Sequence, residues 1–184
     1  MNTATQQALD KPSDSPALLW FALRLRSRHE KVAASQLQKQ GIETYLPLVA
    51  QVHQWSDRKK RVEMPLFAGY AFVKFSPSTE DRLRILKTHG VVGFVGPRWE
   101  QTPIPELQIR SIQGVLAADV PTVEHPYLKA GQRVRVRGGA LDGVEGILAS
   151  LNGDRSLVIT VEPIAKSISI RIEGYQVDVI EVKQ

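Results

Sequence analysis

Cysteine is absent from the 184 residues, which excludes a disulfide scaffold, a thiolate zinc site and a cysteine nucleophile. Nor does any apolar run approach the roughly 18 residues that a membrane-spanning helix needs. The opening MNTATQQALDKPSDSPA has neither a basic start nor an apolar stretch, so it does not read as a signal peptide. A soluble, cytoplasmic, globular protein without membrane contact is expected. Catalytic signatures are missing as well. The four histidines, His29, His53, His89 and His125, share no metal-ligand spacing and have no local carboxylate partner. There is no phosphate-cradling Walker loop and no Gly-x-Ser-x-Gly elbow. The glycines of GGALDGVEG (Gly138, Gly139, Gly143, Gly146) are spaced wrongly for a dinucleotide loop and read as tight turns. The expectation is a binding protein, not an enzyme, with neither cofactor nor metal.

What is present is unevenly spread. Residues 18–118 hold 15 basic and 8 acidic residues, whereas residues 119–184 hold 8 and 9. All the positive excess lies in the middle segment, so that segment is the one expected to approach a polyanion. Residues 1–17 are polar, carry Pro12 and Pro16, and are expected to form a disordered tail. Leu18 to Leu25 suits a buried strand. A helix follows, with Ala33 and Leu37 as its apolar seam and Gly41 as its stop. Ile42 to Val49 returns to strand composition, with Pro47 marking an edge or an end. Gln54 to Glu63 reads as a basic turn, and Leu66 to Phe75 as the strongest strand of this half. In that strand Tyr70, Phe72 and Lys74 alternate with Ala71, Val73 and Phe75, so two faces are presented. Ser78 with Asp81 opens a short helix, Val91 to Val95 is a strand, and Pro105 starts a third helix with Ile109, Ile112 and Leu116 on one side.

After a proline-containing linker at 118–126, the pattern is all strand. Arg133 to Arg137 alternates strictly, Asn152-Gly153 signals a hairpin, Ile168 to Ile172 alternates again, and Val177 to Val182 closes the set. The fold class is therefore an α+β N-terminal domain, an antiparallel sheet with helices, followed by a small five-stranded β-barrel. The expected division is 1–17 tail, 18–117 first domain, 118–126 linker and 127–184 second domain. Two surfaces stand out. Arg58, Lys59, Lys60 and Arg61 suit either phosphate contact or a solvated loop. The aromatic strand around Phe67, Tyr70 and Phe72 suits either core or, since Tyr70 and Phe72 share a face with Lys74, a docking patch.

Together these motifs resemble the NusG family of transcription factors. WFAL (Trp20–Leu23) before an amphipathic helix, PLFAGYAFVKF (Pro65–Phe75) and KTHGVVGFVG (Lys87–Gly96) are similar to segments of its N-terminal (NGN) domain. AGQRVRVRGGALDGVEGIL (Ala130–Leu148) resembles its KOW motif, which sits in an SH3-like barrel. Ala68 departs from the family's usual Leu-Phe-Pro-Gly-Tyr stretch, and KSISIRI (Lys166–Ile172) leans towards the specialised RfaH and UpxY types. The resemblance implies a monomeric elongation or antitermination factor that bridges RNA polymerase. Phe67, Ala68, Tyr70 and Phe72 match its clamp-helix contact, and Glu80, Asp81 and Arg82 its gate-loop contact. Arg26, Gln36, Thr88 and His89 match positions that read the non-template DNA strand. Leu128, Leu141, Val144 and Ile164 match apolar positions at which the KOW domain binds Rho or a small-subunit ribosomal protein. A ribosome-associated or RNA-binding KOW protein is the competing reading.

Overall fold

The computed structural model of the chain describes residues 17–54, 59–77, 79–97, 101–128, 131–151 and 154–180. The expected tail lies outside the described residues except for Ala17, as do Ser78, Arg58 and the Asn152-Gly153 turn.

In the N-terminal half the elements are β1 (Leu19–Leu25), α1 (Glu30–Lys39), β2 (Glu43–Tyr45), β3 (Leu48–Gln54), β4 (Lys59–Pro65), β5 (Tyr70–Phe75), α2 (Thr79–Leu86), β6 (Val91–Phe94), β7 (Pro103–Ile104) and α3 (Glu106–Ala117). The sheet runs β2-β5-β1-β6, with β7 also paired to β1. Strand alternation divides its side chains into two cores. Phe21, Leu23, Leu25, Ala71, Val73 and Phe75 face Ala33 and Leu37 of α1 and Ile85 of α2. Trp20, Ala22 and Phe72 belong instead to a second buried cluster with Ile109, Ile112 and Val115 of α3. Helix α1 ends as its sequence predicts: Gly41 takes φ +79°, and the N–H of Ile42 donates to the carbonyl of Leu37 at 3.1 Å.

The C-terminal half holds β8 (Thr122–His125), β9 (Gln132–Arg137), β10 (Glu145–Leu151), β11 (Asp154–Val161), β12 (Lys166–Arg171) and β13 (Gln176–Val179). They form one antiparallel sheet in the order β13-β9-β10-β11-β12-β8. Five strands were expected, and six are found among the described residues. The extra one, β8, comes from the segment read as a linker: Ser167 pairs with His125 and Ile170 with Thr122. The prolines at 121 and 126 bound this strand without interrupting its ladder.

Two further expectations are corrected in the N-terminal half. The basic stretch read as a turn is largely a strand, because β4 pairs with β3 as a separate hairpin, Leu48 opposite Pro65 and Gln54 opposite Lys59. The single strand expected over Ile42–Val49 is broken between β2 and β3, where the chain leaves the main sheet at Pro47.

Candidate functional site

The face of the N-terminal sheet opposite α1 and α2 carries the aromatic residues assigned to docking. Phe67 and Phe72 are buried, at 2% and 0% exposure, and their rings meet edge to face with centroids 6.1 Å apart. Of the two readings left open for this strand, core or docking patch, the core reading holds for both of these rings. Tyr45 stacks on Phe72 at 6.3 Å, and burial pushes its phenol up to about 12. Tyr70 is half-buried and Ala68 exposed, so the accessible part of the patch is the turn before β5. At the other end of β5, Lys74 lies 5.6 Å over the Trp20 ring and 3.0 Å from the carboxylate of Glu106, which anchors the start of α3 on the sheet.

Lys74, by its hydrogen bond first and its charge second, holds the Glu106 carboxyl below its ordinary range, with Arg110 adding to the effect. A carboxyl lowered on folding stabilises the fold at neutral pH, and that contribution is lost as pH falls through its folded-state value. Glu106→Gln should therefore lower the melting temperature at pH 7, by no more than the equivalent of about 1 kcal/mol given solvent screening. The gap from the unsubstituted chain should close on acidification through the carboxylate range. A gap independent of pH would refute the ionic anchor.

What covers this face is α3 and the C-terminal barrel. Ser111 of α3 accepts a hydrogen bond through Oγ from the N–H of Glu145 at 3.1 Å, a buried contact between the two halves. A Cβ on Gly114 would lie 3.1 Å from Cγ2 of Val144. Leu141, Val144 and Ile164 are all buried in the same cluster as Phe67 and Phe72. Three of the four barrel positions expected to meet an outside partner are thus covered in this arrangement, and Leu128 is half-buried. Tyr70 lies close enough to Lys166 of the barrel to favour its charged form slightly, after the larger effect of Glu124. Ser111 was missed by sequence reasoning, although a serine among Ile109, Ile112 and Val115 is itself the signal that a buried backbone donor needs an acceptor there.

The positions expected to meet nucleic acid do not remain together as a set. Thr88 is 4% exposed; its hydroxyl accepts from the Gln40 side chain at 3.2 Å and donates to the carbonyl of Arg84 at 3.1 Å. It is an internal tie, which corrects its assignment. Arg26 and His89 are exposed and Gln36 is half-buried. Arg26 N–H donates to Gly90 at 2.8 Å, and the rings of His29 and His89 lie 5.3 Å apart. Arg24, Arg28 and Lys87 are also exposed here, which makes this edge cationic. Arg61 is exposed on β4; the side chains of Lys59 and Lys60 lie outside the described residues. On α2, Glu80 and Arg82 are exposed, while Asp81 forms an ion pair with Arg84 at 3.1 Å.

The barrel's arginines are engaged in a different way. Arg135 Nε donates to the buried carboxylate of Glu145 at 2.7 Å, with Arg133 at 3.8 Å from its other oxygen. Arg137 pairs with Asp178 at 2.5 Å and Arg171 with Asp154 at 2.6 Å. Among the described residues no group of three His, Asp or Glu is placed to hold a metal ion, and no helix is long and apolar enough to cross a membrane.

The sequence and the fold have known counterparts. The family model described as "Transcription termination factor nusG" matches residues 18–113. The chain belongs to the NusG family. Over 174 residues it is 26% identical to the transcription termination/antitermination protein NusG of Lactococcus lactis, covering 88% of this chain and 93% of that protein. NusG of Borreliella burgdorferi is 24% identical over 180 residues, covering 88% and 98%. NusG of Deinococcus radiodurans is 32% identical over a shorter stretch, 57% of this chain and 63% of that one. The solved structure described as "Domain interaction in Thermotoga maritima NusG" superposes with a TM-score of 0.52 at 17% identity, covering 90% of this chain and 98% of that one, which is agreement in fold. The chain is a NusG-like transcription termination/antitermination factor, and its NusG relatives are transcription factors, not enzymes.

Proposed function

We propose that this protein is a cytoplasmic, monomeric elongation or antitermination factor that docks on RNA polymerase, suppresses pausing or termination, and recruits a second partner through its barrel. The docking surface is the sheet face at Phe67, Ala68, Tyr70 and Phe72, with Phe67 and Phe72 as its rigid floor and Tyr70 and Ala68 as its rim. One observation carries this reading: Phe67, Tyr70 and Phe72 belong to the same buried cluster as Leu141, Val144 and Ile164, with α3 in contact with the barrel between them. A face that one protein partner covers is apolar and complementary enough to receive another. Docking on polymerase therefore competes with the barrel, and release frees Leu128, Leu141, Val144 and Ile164 for Rho or a small-subunit ribosomal protein. Glu80, Asp81 and Arg82, on a separate helix, take the gate-loop contact. Bridging the polymerase cleft disfavours its open, paused state through differential affinity for the two states. Arg26, Gln36 and His89 take the non-template strand; Thr88 drops out. Against the RNA-binding reading, the barrel's arginines at 133, 135, 137 and 171 lie beside three carboxylates, Glu145, Asp178 and Asp154, that offset most of their charge.

The test is binding of the full chain to purified core RNA polymerase. Tyr70→Ala should weaken it by about tenfold or more, as loss of an interfacial tyrosine does, with the far-ultraviolet circular dichroism unchanged. Equal binding by the folded variant would remove this face from the mechanism.

A further inference from the structure

We propose that Glu30 is the positioning residue of the docking turn, holding Phe67–Tyr70 in place from the first turn of α1. This rests on the docking reading above. Glu30 is only 7% exposed, although it is a carboxylate at the first position of a helix otherwise buried through Ala33, Ala34 and Leu37. A helix N-terminus favours negative charge there, but taking a carboxylate out of water is costly unless a donor is supplied. The donor is the backbone N–H of Gly69, 3.0 Å from Oε1 and 39 residues further along the chain.

That N–H belongs to the turn. The N–H of Tyr70 donates to the carbonyl of Phe67 at 3.1 Å, and Gly69, the third residue, takes φ +79°, the pattern of a type II turn. The carbonyl of Gly69 accepts from the N–H of Leu25 at 2.7 Å. Gly69 is therefore fixed on its N–H side by α1 and on its carbonyl side by β1. A Cβ there would meet nothing nearer than 3.7 Å, so glycine is required by backbone conformation and not by space. Ala68, the second residue, does not preset the turn as a proline would. Contacts must hold it, and Glu30 supplies the side-chain contact. Tyr70 and Ala68, the accessible rim of the docking face, are aimed by this turn.

The experiment uses the full chain and three variants. Glu30→Gln keeps an acceptor oxygen, Glu30→Met keeps the bulk and loses the acceptor, and Glu30→Met with Ala68→Pro replaces the lost restraint by a backbone one. Proline is compatible at 68, since the N–H of Ala68 has no acceptor among the described residues. Two readouts are taken: amide hydrogen exchange at Gly69 and affinity for core RNA polymerase. Glu30→Gln should stay within about twofold of the unsubstituted chain in both, whereas Glu30→Met should speed Gly69 exchange and weaken polymerase binding by about tenfold each. Adding Ala68→Pro should recover most of the affinity. The proposal is overturned if Glu30→Met leaves Gly69 protected, speeds exchange uniformly through α1 and the sheet, or is not rescued by proline. If Glu30→Met fails to fold, recovery of folding with Ala68→Pro supports the same role and its absence overturns it. Loss of polymerase binding by Tyr70→Ala with none by Glu30→Met would sink the positioning role alone. The expected exchange pattern with no effect of Tyr70→Ala would sink the docking reading and leave the role of Glu30 in the turn intact.

Discussion

Val144→Asp should raise the affinity of the full chain for core RNA polymerase by about one to two orders of magnitude. Val144 is 4% exposed, and its Cγ2 lies 3.1 Å from where a Cβ on Gly114 of α3 would stand. An unpaired carboxylate there costs roughly 2–3 kcal/mol or more while the barrel covers α3, and little once the barrel leaves. Each 1.4 kcal/mol is about a factor of ten in the closed-to-open ratio. Apparent affinity for any partner of the covered face is reduced by the fraction of molecules in which that face is free. The substitution lies on the barrel, so it leaves the docking face itself unaltered. Since Val144 is also among the barrel's contact positions, the same variant should bind the second partner more weakly. Polymerase affinity measured by equilibrium titration, with circular dichroism to confirm that the strands are retained, checks both. An unchanged or lowered polymerase affinity in a folded Val144→Asp chain would mean that the closed arrangement does not limit docking.

Phe72→Ala should destabilise the protein by about 3–5 kcal/mol, lowering the melting temperature by roughly 10 °C for a chain of this size. Phe72 is fully buried between Tyr45 and Phe67 and sits in the centre of the sheet, opposite Ala22 of β1 and Tyr45 of β2. Its loss leaves a cavity where three aromatic rings meet. Tyr70→Ala, two residues earlier on the same face but half-buried, should cost far less stability while costing more in polymerase binding per unit of stability lost. Thermal melts of the two variants side by side separate floor from rim. Similar melting temperatures for both would show that Phe72 is a surface contact after all.

Phe72 also marks where local reading of the chain stops. The alternation of β5 told correctly that Ala71, Val73 and Phe75 share one face and Tyr70, Phe72 and Lys74 the other. The first face is covered by α1 and α2, whose seams at Ala33, Leu37 and Ile85 are written nearby in the chain. The second is covered by α3 and by a barrel that starts about fifty residues later, and nothing in the strand itself announces that cover. Thr88 is a similar instance: the resemblance alone assigned it, and its partner Gln40 lies 48 residues away, so nothing local in the sequence announced that it is buried. The hairpin of β3 and β4 was hidden by its charge, because lysines and arginines on an exposed strand resemble a solvated turn. β8 was hidden by its flanking prolines and by its length of four residues, too short for an alternating pattern to stand out. Legible throughout were the helix stop at Gly41, the three helices in their order and the family to which the chain belongs. The buried carboxylate of Glu30 was not singled out from the sequence, because the donor it serves is supplied by tertiary structure.

The absence of cysteine makes one further measurement clean. A Gly114→Cys, Val144→Cys double variant would place its only two thiols on opposite sides of the contact between α3 and the barrel, within bridging reach given the 3.1 Å separation of a Cβ at 114 from Val144 Cγ2. Polymerase binding is then measured on the same preparation, oxidised and reduced. If the face beneath α3 and the barrel is the docking surface, the oxidised chain does not bind core RNA polymerase and the reduced chain binds as the unsubstituted one does. Binding of equal strength by the oxidised, closed chain would contradict that account.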